Sequence, residues 1–477
     1  MPIDNYTLIR QVAGVLFLLD ALCFLPWAQV AIGPGYFRGG QARARLVPWI
    51  LTLWIAASLS LVLGVYPLIG AVALWLLFRH LYIHNRWANL FRGGGAPGFM
   101  SHWLTLYLVF FELAAWLDAS GALGAHVHRM VRIDLGVILL CSGTYKSLSG
   151  YLRGEGMEYG LANPFWGYGW RLFRQLRPTN PLLRLQDVAA ATLQIVMGAT
   201  MLFESTQAIG ALICSLGFLG LAFMVRLGRL AFLMMIIPFF CLPDVGIALV
   251  PWADLTFASV TTPAAVLAVL HGLITAYLVV LPLVKGMQYL NLFGKRELPG
   301  PLQRGLTRYA NAVPIIMWRV FTPDVTNFFI RIYRIHADGH ETSLVHEDTT
   351  YSYRELRRWR WSMRFLHVTE SIALTTVFTT LKYFRSQRPL FEAKLLEYAG
   401  TLGEPIDGTQ FRFQFVAILK GADRFEHVPV ANFRADVAAG RVEEETLLPG
   451  YAYDDPAPYS HIKETTGYGS YAPRRTP

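Results

Sequence analysis

The chain has 477 residues, 54% hydrophobic and only 16% charged, with a mean hydropathy of +0.38 and a net charge of +10. A soluble domain carries about 25% charged residues, so the composition excludes an ordinary soluble enzyme and implies a polytopic membrane protein with an extra-membrane domain. The basic residues sit at the ends of apolar runs and in short loops, as headgroup anchors do, and no nucleic-acid-binding fingerprint accompanies them.

The first apolar segment runs from Ile9 to Ile32, interrupted by Asp20 and Pro26, and ends in the loop GPGYFRGGQARAR. Two runs follow, Leu46–Gly64 and Val65–Ile83, parted by a turn at Gly64 to Pro67. After HNRWANLFRGGGAPGF comes Ser101–Asp118, with His102 at its head and Glu112 inside. The next span, Val131–Gly150, delivers Lys146 into the loop GEGMEY. Residues 151–186 are too polar to span, and Phe165, Trp166, Tyr168, Trp170 and Phe173 suit a bilayer interface. Spans resume at Asp187–Ser205, Gln207–Val225, Leu227–Leu242 and Pro263–Gly286, for about nine helices in a domain of residues 1–286.

Residues 287–327 form an amphipathic connector that contains the helix Leu306–Val320. Residues 328–448 read as a small α+β extra-membrane domain. Its strand Phe328–Ile335 turns at Ala337 to His340 and returns as Thr342–His346. Ser352 with Glu355 caps a long helix to Phe384, and Pro389 starts another to Tyr398. Phe411–Lys420 alternates as a strand, and two shorter strands follow to Leu448. The tail 449–477, rich in Tyr, Pro and Gly, does not fold alone and is expected to lie on a neighbouring subunit.

Charge marks the functional candidates. A lysine at membrane depth costs roughly 2.5–3.5 kcal/mol, which makes Lys146 the first of them. A desolvated lysine serves as a general base; the alternatives are an ion pair with Asp20 or Glu112, or a snorkelling side chain. His102 is a second candidate, weighed against a satisfied interfacial histidine. His271 is a weaker candidate still. His80, His84 and His102, with help from His126 and His128, invite a metal reading but lack zinc spacing, and the four cysteines show no CxxC, so no metal site is assigned. Arg357, Arg358, Arg360 and Arg364 with Trp359 and Trp361 form a basic, solvated helical face. The loop charges place the C-terminal domain in the cytoplasm if the span count is odd.

The stretch SGTYKSLSGYLRGEGMEY (Ser142–Tyr159) resembles the lysine-bearing segment of the vitamin K-dependent γ-glutamyl carboxylase superfamily, which includes the bacterial horizontally transferred transmembrane-domain proteins. MSHWLTLY (Met100–Tyr107) is similar to the family's asparagine-histidine stretch, with Ser101 at the asparagine position, and NRWANLFRGGG to its Arg-Asn…Gly-Gly loop. The resemblance implies that Lys146 is the base and His102 its helper, with a quinone, quinol or bound lipid as cofactor or substrate. It also implies a bacterial inner membrane location, with the C-terminal domain on the periplasmic or lumenal side.

Two positions depart from the family pattern. The histidine that opens a later helix is missing from Phe218–Phe240, and the acidic residue of the helix before it is lost, with Gln194 nearby. The expectation is therefore a carboxylase-like scaffold with a partly lost site, acting as a subunit or assembly component of a membrane complex. A quinol- or lipid-dependent enzyme that uses Lys146 is the alternative.

Overall fold

The computed structural model describes residues 5–25, 46–84, 95–118, 120–148, 151–153, 156–244, 246–250, 255–293, 299–313, 326–347, 374–375, 377–379, 381, 388–400, 402, 410–451 and 453. The loops around Arg38 and Arg92, the capping box at Ser352, the basic face of Arg357 to Arg364 and the tail after Tyr453 lie outside the described residues.

The helical part runs through α1 (Asn5–Phe24), α2 (Val47–Leu63), α3 (Pro67–Phe78), α4 (Gly95–Leu117) and α5 (Ala122–Leu148). Two short helices follow, α6 (Met157–Ala162) and α7 (Trp170–Gln175). After them come α8 (Pro181–Met201), α9 (Gln207–Met224), α10 (Arg229–Ile236), α11 (Ala264–Phe293) and α12 (Gly300–Ala312). The turn between α2 and α3 falls where glycine and proline put it: Gly64 is left-handed at φ 67° and Pro67 opens the next helix.

Among the described residues, three helices are long and apolar enough to cross a membrane: Ala96–Leu117, Gln207–Met224 and Ala264–Leu290. The expected count was about nine, and the shortfall has two physical sources. Val47–Leu63, Pro67–Tyr82 and Arg229–Cys241 are apolar but short. Others are long enough but carry charge inward: α1 buries Arg10 and Asp20, and α5 buries Arg132, Asp134 and Lys146.

The two charges of α1 pair across the bundle. Asp20 is salt-bridged to Arg229 of α10, whose guanidinium lies 4.8 Å from the centre of the Tyr82 ring. Glu112 of α4 accepts from the Tyr6 hydroxyl and faces Arg10 at 3.6 Å. The carboxylates weighed as counter-ions for Lys146 are thus engaged with arginines. Polar side chains also tie α1 to irregular backbone: Asn5 donates to the carbonyls of Phe239, Leu242 and Pro243, and Gln11 bonds at Leu249 and Val250.

The C-terminal unit is a five-stranded antiparallel sheet of β1 (Phe328–Ile335), β2 (Glu341–Val345), β3 (Gln410–Lys420), β4 (Phe425–Asp436) and β5 (Arg441–Thr446), in the order β2-β1-β3-β4-β5. The turn at Gly339 (φ 82°) and a helix α13 (Arg388–Ala399) fall where the sequence reading puts them. β4, with 12 residues, is not a short strand. Pro429 and a register shift opposite Phe415/Val416 break the alternation that would have revealed its length.

The two sheet faces differ because alternate residues differ. One is aromatic: Phe378 and Phe391 pack on Phe433 with ring centres 5.5 and 5.2 Å away. The other carries a cross-strand polar row in which Arg331 bonds Gln414, Gln414 bonds Asn432, and Asn432 bonds Glu445. Tyr453, at the start of the tail, packs on Phe415 of this same chain at 5.4 Å.

The aromatic stretch expected at a bilayer interface receives the sheet. Asn163 donates to the carbonyls of Thr326 and Phe328 at 2.7 Å each. Phe165 and Trp170 are buried, Phe165 on Phe329 and Trp170 on His427. His427 Nε2 lies 3.2 Å from the Ala162 carbonyl, which only accepts.

Burial, and next to it Arg174, lowers the His427 pKa to about 4, against about 6.5 in an unfolded chain. The undocked state therefore takes up a proton that the docked state refuses. Docking is complete above pH 6.5 and weakens as pH falls toward 4, approaching tenfold per pH unit. Hydrogen exchange at residues 159–170 between pH 7.5 and 4.5 checks this, and His427→Gln should abolish the acid dependence.

Candidate functional site

Lys146 is held by the tightest helix pair in the bundle. α5 and α8 meet along small residues: a Cβ on Gly198 would lie 2.4 Å from the Leu140 amide nitrogen, and one on Gly143 2.7 Å from the Ala191 carbonyl. Backbones that close bring the polar positions of both helices into contact. Lys146 is 4% exposed, and its Nζ donates to Gln194 Oε1 at 2.7 Å. Ser142, one turn earlier on α5, donates to the same oxygen at 2.9 Å.

The loop after α5 folds over this lysine. The Tyr151 ring is fully buried, with Lys146 Nζ 5.7 Å from its centre. Gly156 lies on that ring so closely that a Cβ there would sit 2.7 Å from its carbons. Two buried carboxyl groups anchor the same loop. Glu158 accepts the Gly156 N–H and Asp187 the Met157 N–H, at 2.6 Å each. Glu158 and Asp187 lie within electrostatic reach of each other, and Lys420 of β3 reaches Glu158 at 2.9 Å. Asp187 and Gln194 are seven residues apart on one face of α8, so a single helix serves both the lysine and the loop.

His102 stands elsewhere. It is fully buried, and its ring stacks on Trp75 of α3 with centres 6.3 Å apart. Its neighbour Trp103 donates to Asp134 at 2.8 Å. The contacts described for His102 and for Lys146 share no residue: Trp75 on one side, Gln194 and Tyr151 on the other.

Of the remaining histidines, His126 faces His271 at 5.0 Å and Thr275 Oγ1 at 3.3 Å, while His128 lies against Phe240. The His84 side chain lies outside the described residues. Among the described residues no group of three or more His, Cys, Asp or Glu is placed to hold a metal ion.

The sequence reading missed Asp134, Lys285 and the Glu158–Asp187–Lys420 cluster. The first two were findable, since the rule that singled out Lys146 applies to any charge inside an apolar segment. The cluster was not, because Lys420 approaches from a strand more than two hundred residues away.

Fold and site define an α-helical bundle with, among the described residues, three membrane-length helices, a buried lysine between two closely packed helices, and a docked antiparallel sheet. No family model, curated protein or solved structure matches the chain.

Proposed function

We propose that this chain is a multi-pass protein of the bacterial inner membrane, with about nine helices on a γ-carboxylase-like scaffold. It acts as a subunit or assembly component of a larger membrane complex, and its inherited site is partly lost. The observation that carries this reading is that His102 and Lys146 are engaged with different partners. Lys146 lies under Tyr151 with Gln194 and Ser142, while His102 is stacked on Trp75. Residues tied up in separate contacts support a site that has lost its joint role, since catalysis needs both groups at one reacting atom.

The enzyme reading draws on a different observation. Lys146 donates to a neutral amide rather than a carboxylate, which suits a lysine that works as a base toward a quinol or lipid.

Lys146→Met separates the two. The chain is solubilised from its native membrane, and its native mass is measured with and without the substitution. The scaffold reading expects a species well above the 53.6 kDa of one chain, unchanged by Lys146→Met. A monodisperse monomer whose quinol oxidation disappears in Lys146→Met would overturn it.

A further inference from the structure

Helix α11 is the most apolar span, and only 11% of its membrane-length stretch is buried, yet it keeps a run of polar side chains against α5. At one end Thr275 and His271 meet His126. At the other the Tyr289 hydroxyl donates to the Cys141 carbonyl, one turn before Tyr145. From His126 to Tyr145 is nineteen residues, about 28 Å of rise, close to the roughly 30 Å of a bilayer's hydrocarbon core.

The centre of this seam is Asp134, 1% exposed. Three donors converge on a single oxygen: Trp103 Nε1 at 2.8 Å, the Tyr107 hydroxyl at 2.7 Å and the Tyr277 hydroxyl at 2.9 Å all reach Oδ2. Oδ1 is buried and has no hydrogen-bond partner among the described residues. A carboxylate serving only as a structural acceptor gains by dividing its donors between both oxygens, and a bond left unmade in hydrocarbon has no water to replace it. Oδ1 is thus an open acceptor on a carboxyl group whose other oxygen is already held. Lys285, 2% exposed, lies on α11 within electrostatic reach of Asp134 and Cys141. Three residues on, Gln288 Oε1 is a second buried acceptor with no partner among the described residues. Of the other charges of α5, Arg129 and Arg132 face Glu204 at 3.6 and 3.3 Å and Lys146 faces Gln194, with Arg129 also within electrostatic reach of His126.

We propose that the α5–α11 seam is a proton relay across the membrane, with Asp134 as its central carrier. A proton enters at the His126–His271 pair, binds Asp134 Oδ1 and leaves by way of Lys285 toward the Tyr289 end. One proton taken from one side is released on the other, so no oxidant or co-substrate is consumed. Buried carboxyl, imidazole and amine groups in line along a span are the components of such relays. The relay rests on the membrane-spanning reading but not on any role of Lys146.

The full chain is reconstituted into phosphatidylethanolamine–phosphatidylglycerol vesicles loaded with pyranine, and a potassium potential set by valinomycin drives proton entry. Wild type is expected to acidify the lumen, and Asp134→Asn to fall to the leak of protein-free vesicles. Tyr277→Phe, which keeps two of the three donors, is expected to slow the flux, and Gly220→Ala, in open space on α9, to leave it unchanged. Wild-type flux no faster than protein-free vesicles, or equal in Asp134→Asn, overturns the relay. Failure of the chain to float with the vesicles would instead overturn the membrane reading on which it rests.

Discussion

Arg229→Met is expected to destabilise the bundle by about 3–5 kcal/mol, because it leaves Asp20 as a buried charge without its partner. Asp20 and Arg229 are 1% and 2% exposed, and they join the first helix to one more than two hundred residues later. Arg229 also covers the Tyr82 ring, so the substitution removes a cation–π contact as well. Against a total stability of about 5–15 kcal/mol, the loss removes a large share of the folded population.

The cause can be separated from loss of packing. Adding Asp20→Leu to Arg229→Met removes the stranded carboxylate, and the double variant is expected to recover most of the loss. Thermal unfolding in detergent of wild type, the single variant and the double variant gives the comparison. A single variant as stable as wild type would show that the pair does not hold α1 against α10.

The same pair shows where sequence reading stops. Hydropathy located the helices because each apolar run is a local property: Val47–Leu63 and Gln207–Met224 match their expected segments within about a residue at each end. The sheet's first hairpin was legible for the same reason, with its alternating strand and the glycine at the turn. Which charge meets which is not local. Asp20 and Glu112 were both visible as intramembrane carboxylates, but nothing in their neighbourhoods says that arginines, and not Lys146, would neutralise them.

Trp170 teaches a second version of the lesson. An aromatic, basic and glycine-rich stretch has the composition of a lipid interface and also that of a docking platform. The sheet that covers Phe165 and Trp170 shows the docking platform, which composition alone did not single out. For the site, the motif pointed to Lys146 correctly as a buried lysine, but it did not say that Trp75 would cover His102.

Gly198→Ala is expected to cost about 1–3 kcal/mol, the scale of overpacking in a filled interior, although alanine is the better helix former by about 1 kcal/mol. The added Cβ would meet the Leu140 amide nitrogen at 2.4 Å and the Gly136 carbonyl oxygen at 2.6 Å. Both obstacles are backbone, so no rotamer change relieves them and α8 must move away from α5. Gln194 lies one turn from Gly198 on α8, so the displacement also lengthens the bond from Lys146 to Gln194 and loosens the lysine itself.

Gly220→Ala on α9 is the matched control, because a Cβ there meets nothing within 4 Å. Helix propensity alone then makes that variant neutral or slightly more stable. Unfolding of the two variants in mixed micelles should move their midpoints in opposite directions. Equal midpoints would mean that α5 and α8 do not touch through backbone at Gly198. A shifted Gly198→Ala with Lys146 still inert to amine-directed labelling would mean that the helices yield below the lysine, leaving Tyr151 and the Glu158–Asp187 loop to hold the site closed.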